Sequence, residues 1–192
     1  MNWYRALHTL GMHLTFSAQK RANYIKKHHL FRHMGDGCMV MFRKLPLYPE
    51  LISVGNNVWI ASNVLLVTHD TIHRVLNRAV QGEHFQENLG CIEIQDHVFI
   101  GSGSIILPNV SIGTKTVIAA GSLVNKSLPG NGVYGGVPAR YLGSFDAFVE
   151  KRKNQERITI EKNKKRRLSD QTVEAVWERF HSIQTGGMQN ES

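Results

Sequence analysis

His69 stands in the stretch Val67-Thr68-His69-Asp70, a setting that suggests proton-transfer chemistry. An imidazole exchanges its proton near neutral pH, so it can take one from a hydroxyl that is otherwise a poor nucleophile. Asp70 carries a carboxylate of the kind that orients a histidine ring, a task that a backbone carbonyl can also perform. Neighbours on an extended segment point to opposite sides, so pairing of Asp70 with His69 needs a turn, and otherwise Asp70 caps one. His69, His73, His84 and His97 also offer a second chemistry, metal ligation. His69 and His73 suit one metal only if that stretch is helical, and Ser102, not a histidine, stands five residues beyond His97. Cys38 and Cys91 lie far apart without a C-x-x-C partner, which indicates free thiols rather than a disulfide framework or zinc knuckle.

These side chains need a scaffold, and the middle of the chain supplies one by period. Every sixth position is aliphatic at Val54, Ile60 and Leu66, and again at Ile94, Ile100, Ile106, Ile112, Ile118 and Val124. Four residues after each stand mostly small or β-branched residues, such as Val58, Val98, Ser104 and Thr116. Turn formers collect between them at Gly55-Asn56-Asn57, Pro108-Asn109 and Gly113-Thr114. A six-residue unit of one inward aliphatic, a short strand and a corner cannot bury its apolar side alone. Three units make a triangular coil, and stacked coils place Ile94 against Ile112, Ile100 against Ile118 and Ile106 against Val124. The period predicts a parallel β-solenoid without giving its hand.

Between Leu66 and Ile94 lie 27 residues where five would continue the repeat. An excursion is therefore predicted over 67–92, and a protruding loop on a rigid scaffold is where function is usually mounted. His69 sits at its root. Before the solenoid, Trp3, Leu7, Leu10 and Leu14 recur at helical spacing, which predicts an amphipathic packing helix; its basic far side leaves peripheral membrane contact as a lesser alternative. The segment from Gly35 to Glu50 breaks helix. After the solenoid, Val173, Val176, Trp177, Phe180 and Ile183 again have helical spacing behind an N-cap at Ser169 or Asp170, and the tail beyond Gln184 reads as unstructured.

The net charge of +8 is not a general nucleic-acid signature, because the segment 151–167 holds nine Lys or Arg against two Glu. Such a run confined to one tail reads as a solvated face, and no nucleic-acid partner is expected. No apolar run approaches the length that spans a bilayer, and Arg5, His8 and His13 interrupt the opening segment, which therefore does not read as a secretory leader. The expectation is a soluble cytoplasmic protein.

Three stretches together resemble the hexapeptide-repeat acyltransferases, the family of galactoside, maltose, capsular-polysaccharide and xenobiotic acetyltransferases. They are VGNNVWIASNVLLVTHD at 54–70, IEIQDHVFIGSGSIILPNVSIGTKTVIAAGSLVNKSLPG at 92–130 and GGVPARYLG at 135–143. The likeness runs from about Leu45 to Gly143. LPLYPELI at 45–52 and GSFDAFVEKR at 143–152 look like the versions that modify bacterial surface glycans or their precursors. The resemblance implies a left-handed parallel β-helix, mainly β, with an N-terminal helical segment at 1–35, the acyltransferase body at 36–142 and a C-terminal helical region and tail at 143–192. It also implies a homotrimer with sites in the grooves between subunits, and acetyl-CoA as co-substrate with no permanently bound cofactor.

By the same resemblance His69 is the general base, and His73 aligns with a second histidine that touches substrate, as Asp70 and Trp59 also would. The match of FIGSGS assigns the backbone N–H of Ser102 to the developing oxyanion, with Gly101 and Gly103 allowing close approach. Ala119, Ala120 and Gly121 align with the edge that admits the pantetheine arm, Phe99 with the groove wall, and Lys126 and Arg140 with coenzyme phosphate contacts. Galactoside-acting members carry Asn and Asp in the coil before Val54, where this chain has Cys38 to Tyr48 with no clear equivalents. The function implied is O-acetyl transfer to a sugar or surface glycan. The alternatives are a metalloenzyme like the γ-type carbonic anhydrases, which share the prism, and a non-enzymatic solenoid binding glycan or polyanion.

Overall fold

The computed structural model describes residues 3–163, 165 and 167–188. The chain forms two compact units, Met1–Glu150 and Lys151–Ser192. The first carries every predicted site residue.

Its body is three sheets of short strands. The first has the order β1 (His33–Met34), β3 (Ile52–Val54), β6 (Ile92–Ile94), β9 (Val110–Ile112). The second has β2 (Met39–Val40), β4 (Trp59–Ile60), β7 (Val98–Ile100), β10 (Thr116–Ile118), β12 (Gly132–Gly135) and β13 (Arg140–Ser144), counted from one edge to the other. The third has β5 (Leu65–Leu66), β8 (Ile105–Ile106) and β11 (Leu123–Val124). From β3 to β11 consecutive strands visit the three sheets in turn, and the return pairs Ile94 with Ile112, Ile100 with Ile118 and Ile106 with Val124. All strand neighbours are parallel except β12 and β13, which close the stack as an antiparallel pair. The pairing predicted from the six-residue period is thus the observed register.

The packing explains the period. All nine periodic aliphatics are buried, and so are Val58, Val64, Val98 and Val110 between them. The polar members of that second set are buried too, and each donates to a carbonyl: Ser104 Oγ to Gly101 at 2.8 Å, Thr116 Oγ1 to Gly113 at 2.7 Å and Ser122 Oγ to Ala119 at 2.6 Å. Those bonds offset the cost of taking a hydroxyl out of water. Each corner is turned by one residue of positive φ, at His97, Gly103, Asn109, Lys115 and Gly121, again six apart. Asn and Gly tolerate this left-handed backbone best, which accounts for their abundance between the aliphatics. The corner predicted at Gly113-Thr114 places its positive φ on the next residue, Lys115, as Gly55-Asn56 places it on Asn57. A Cβ on Gly113 would come within 2.6 Å of the Gly130 amide nitrogen, so that glycine serves contact between rungs.

The stack extends beyond the predicted repeat at both ends. Met34 pairs with Val54 and Val40 with Ile60, so a rung precedes Val54 inside a segment whose Gly and Pro content masked it. At the other end Ile118 pairs with Tyr134, a step of sixteen, which a strict sixfold count misses.

The N-terminal segment is helical as predicted, with α1 (Trp3–Leu14) and α2 (Ala18–Lys27), but α1 does not pack on its apolar stripe. Trp3, Leu7, Leu10 and Leu14 are 74%, 52%, 57% and 67% exposed, whereas His8 and Met12 on the opposite face are buried. Polar contacts fix that orientation: His8 Nδ1 bonds Tyr24 Oη at 3.0 Å, and Arg5 Nε donates to the Leu45 carbonyl at 2.9 Å.

The excursion is narrower than 67–92. Val67 N still donates to Ile106 O, and Cys91 O already accepts from Asn109 N, so the ladder is interrupted only over 68–90. Its two arms pair antiparallel through the His69–Leu89 bridge, and within it α3 (His73–Ala79) forms a short helix that the sequence did not suggest.

In the second unit α4 (Asp170–Met188) begins behind Ser169, whose Oγ accepts from Thr172 N at 3.2 Å as an N-cap does. The helix runs four residues past Gln184, where an unstructured tail was predicted; residues 189–192 lie outside the described residues. None of the described residues in 151–167 is buried, and Lys164 and Arg166 lie outside the described set.

Candidate active site

The neck of the excursion positions His69. Thr68 Oγ1 donates to Leu47 O at 2.6 Å, and Gly90 N donates to Thr68 O at 2.8 Å, so the residue before His69 is tied on both sides. The His69 ring is half-buried and meets the edge of Tyr48 at a centroid distance of 5.4 Å and an interplanar angle of 89°. Its Nδ1 is buried without a hydrogen-bond partner, as is Nδ1 of His73 at the start of α3. Asp70 takes the capping role: one oxygen accepts from Ile72 N at 3.0 Å and the other from Asn88 Nδ2 at 3.0 Å. The Asn88 bond, seconded by the Ile72 amide, holds the Asp70 carboxyl below the usual carboxylate range.

Tyr48 is a site residue that sequence reasoning missed. It adopts φ +50°, and its hydroxyl donates to Glu87 Oε2 at 3.0 Å, an interaction that raises the phenol above its ordinary pKa. Glu87 lies on the returning arm of the excursion, so Tyr48 links the chain before β3 to both arms of the neck. Only its place in LPLYPELI pointed toward it, and nothing there indicated contact with a residue 21 positions later.

A cleft of about 660 Å³ runs beside this neck. It is lined by Met41–Leu47, by Ser62–Val67 and by His69, with Arg5, His13 and Arg21 contributed by α1 and α2. The segment that departs from the galactoside-type pattern is therefore the one lining the space next to His69. Arg21 is buried and committed to the Val40 and Thr15 carbonyls, and Arg43 donates to the His13 carbonyl, so the exposed Lys44 is the cation of that lining most open to a ligand.

The predicted coenzyme residues fall into three groups. Trp59 and Phe99 are register neighbours on β4 and β7, each about half exposed on the outer face of the second sheet. Ser62, Ser102 and Ala120 form one corner column, because Gly103 N donates to Ser62 O and Gly121 N to Ser102 O. The Gly101 amide is spent on Ile118 O and that of Gly103 on Ser62 O, while the exposed Ser102 amide has no acceptor among the described residues. A Cβ on Gly101 would collide with the Ala120 amide nitrogen, so rung packing itself requires this glycine. Ala119 is half-buried, and Ala120 and Gly121 are exposed at the same corner.

Lys126 and Arg140 are brought together at the end of the stack. Both line a cavity of about 550 Å³ with Tyr134 and Tyr141, and no carboxylate is among its lining residues. Two cations without an acid are the side-chain chemistry that an anion such as a phosphate requires. The cleft of His69 includes Ser62 and not Ser102. Among the described residues no group of three His, Cys, Asp or Glu side chains could hold a metal ion. Nor is any described helix long and apolar enough to cross a membrane.

Comparison with known proteins agrees with this geometry. The family model described as "Bacterial transferase hexapeptide (six repeats)" matches residues 92–126, which run from β6 through the residues after β11. The galactoside O-acetyltransferase of Escherichia coli is 36% identical over 111 residues, 57% of this chain and 52% of that protein. A solved maltose O-acetyltransferase from Clostridium difficile shares 27% identity with a TM-score of 0.53, covering 73% of this chain and 84% of that one. A hexapeptide-repeat acetyltransferase of Vibrio cholerae, solved with acetyl coenzyme A, shares 25% identity with a TM-score of 0.52, covering 73% and 85%. The chain spans about half the length of the curated relatives it matches. Residues 92–126 thus match the bacterial transferase hexapeptide, and the two O-acetyltransferases and the hexapeptide-repeat acetyltransferase named above are what this chain is similar to.

Proposed function

We propose that this protein transfers an acetyl group from acetyl-CoA to a hydroxyl of a sugar or of a surface glycan or its precursor, using His69 as general base. The observation that carries the reading is the placement of His69: tied into the neck of the excursion, half-buried, and facing a cleft of about 660 Å³. The three parallel sheets are read as a left-handed parallel β-helix spanning 36–142, flanked by helical segments at 1–35 and 143–192. Three copies assemble so that the grooves between neighbours complete the sites, which accounts for a cleft that holds His69 without Ser102 in one chain. The reaction belongs in the cytoplasm, where acetyl-CoA is supplied.

The chemistry balances as a direct transfer. His69 takes the acceptor hydroxyl proton as the oxygen attacks the thioester carbonyl, and the developing oxyanion accepts a hydrogen bond from the Ser102 amide. Collapse breaks the C–S bond, and the coenzyme leaves as a thiol carrying the proton returned by the imidazolium. The corner Ala119, Ala120 and Gly121 admits the pantetheine arm beside Gly101, Phe99 walls it, and Lys126 and Arg140 hold phosphate. Trp59, Asp70 and His73 border the acceptor, Asp70 by holding the neck in shape.

A thiol-release assay corrected for hydrolysis, with acetyl-CoA against a panel of sugars and oligosaccharides, tests the reading. Acceptor-dependent release supports it; release that no hydroxyl acceptor stimulates defeats it. Arg140→Ala is expected to raise KM for acetyl-CoA about 10-fold to 100-fold, the range for a charge-assisted bond worth about 1.5–3 kcal/mol, with little change in kcat. Unchanged KM would remove Arg140 from the coenzyme site.

A further inference from the structure

Helix α1 is mounted back to front for a helix that serves only its own chain. Its buried face is His8 and Met12, while Trp3, Leu7, Leu10 and Leu14 point the other way, and Phe16 just beyond is 88% exposed. A contiguous apolar stripe this open marks an interaction surface. The charge around it decides the partner. Residues 1–49 contain eight Lys or Arg and one acid, Asp36, which is paired with Lys26. Arg43 Nη1 donates to the His13 carbonyl at 2.8 Å, which sets a guanidinium at the end of α1, and exposed Lys20 and Lys44 stand on the segments that adjoin it.

We infer that α1 is an in-plane anchor that seats this protein on an anionic phospholipid surface. A helix with an apolar outer face, aromatic residues at its ends and flanking cations without acids has the composition that lies in the headgroup region of a bilayer. Anionic lipid supplies both parts of the complement, an apolar layer for the stripe and a negative surface for the cations. A second copy, about a two-fold axis or in the proposed trimer, supplies the first part only, because the chain carries a net charge of +8 and offers these cations no excess of negative surface. The inference does not rest on the acyl-transfer reading, since α1 would anchor the chain whatever reaction the cleft performs.

Vesicle flotation of the full-length protein provides the test. One set of vesicles is phosphatidylcholine alone, and the other is phosphatidylcholine with phosphatidylglycerol at ~7:3, an anionic surface of the kind cations recognise. Wild type is expected to float with the anionic set, to be released as salt rises, and to bind the neutral set at least about tenfold less. Leu7→Glu/Leu10→Glu changes two exposed positions, so the fold should survive, as circular dichroism would verify, and binding should fall about tenfold or more. Leu7→Gln/Leu10→Gln, which adds no charge, should show the same direction. Absence of wild-type binding to anionic vesicles at low salt overturns the proposal. Binding unaffected by both double variants also overturns it, by placing the contact elsewhere. Light scattering closes the remaining route: if the variants lower the oligomeric state and the wild type binds no vesicles, the stripe is covered by a second copy instead.

Discussion

Replacing His69 with alanine is expected to lower kcat for acceptor-dependent acetyl transfer by about 10²–10⁴-fold, the usual contribution of a positioned general base. The magnitude follows from the role: without the imidazole the hydroxyl must lose its proton to water, while coenzyme and acceptor still bind. KM for acetyl-CoA should therefore change little, because the residues assigned to the coenzyme lie at the corner column and at the Lys126–Arg140 cavity, away from the neck. Thiol release under saturating acceptor reads the change, with circular dichroism as a control for folding. The neck is held by Thr68, Asp70, Asn88 and Gly90 rather than by the ring, so the variant should keep its structure. Turnover equal to wild type would eliminate His69 as the base and with it the mechanism.

The second large effect is on stability. Ile100 is fully buried and lies in a column between Ile60 below and Ile118 above. Ile100→Ala should destabilise the folded state by about 2–5 kcal/mol, because parallel rungs on both sides hold the cavity open and limit collapse. Its strand neighbour Phe99 faces outward, so Phe99→Ala should cost about 1 kcal/mol or less in stability. Denaturant titrations of both variants and wild type, at one protein concentration so that any assembly contributes equally, give the comparison. Equal losses at 99 and 100 would contradict the alternation of outward and inward residues along β7.

Much of the body could be read from one dimension because its contacts are local in period. When every rung repeats the same inward aliphatic, register is a matter of counting, and the predicted partners of Ile94, Ile100 and Ile106 are the observed ones. Counting failed where the step changed: the step of sixteen from Ile118 to Tyr134, and the first rung at Met34 and Val40. The corners also read well where Asn marked them, as at Asn57 and Asn109, and poorly at Lys115, whose type does not announce a positive φ.

The candidate site was legible to a smaller extent. His69 stood out because the period fails beside it, and Lys126 with Arg140 because cations suit phosphate. Tyr48 was hidden, since its significance is a ring contact across separate rungs and a hydrogen bond to Glu87. Asp70 was ambiguous between orienting the histidine and capping a turn, and its bonds to Ile72 and Asn88 place it in the second role.

Helix α1 separates most clearly what sequence and tertiary structure each decide. The spacing of Trp3, Leu7, Leu10 and Leu14 determined by itself that this segment is an amphipathic helix, because the 3.6-residue turn brings those side chains onto one face. It did not determine which face the body takes. That choice was made in three dimensions, by the His8–Tyr24 hydrogen bond, by Arg5 reaching the Leu45 carbonyl and by the fit of Met12 into the core. The six-residue period likewise determined the stacking of the body, whereas the neck that gathers Tyr48, His69 and Glu87 arises only when the chain folds, since it joins residues whose separation follows no period.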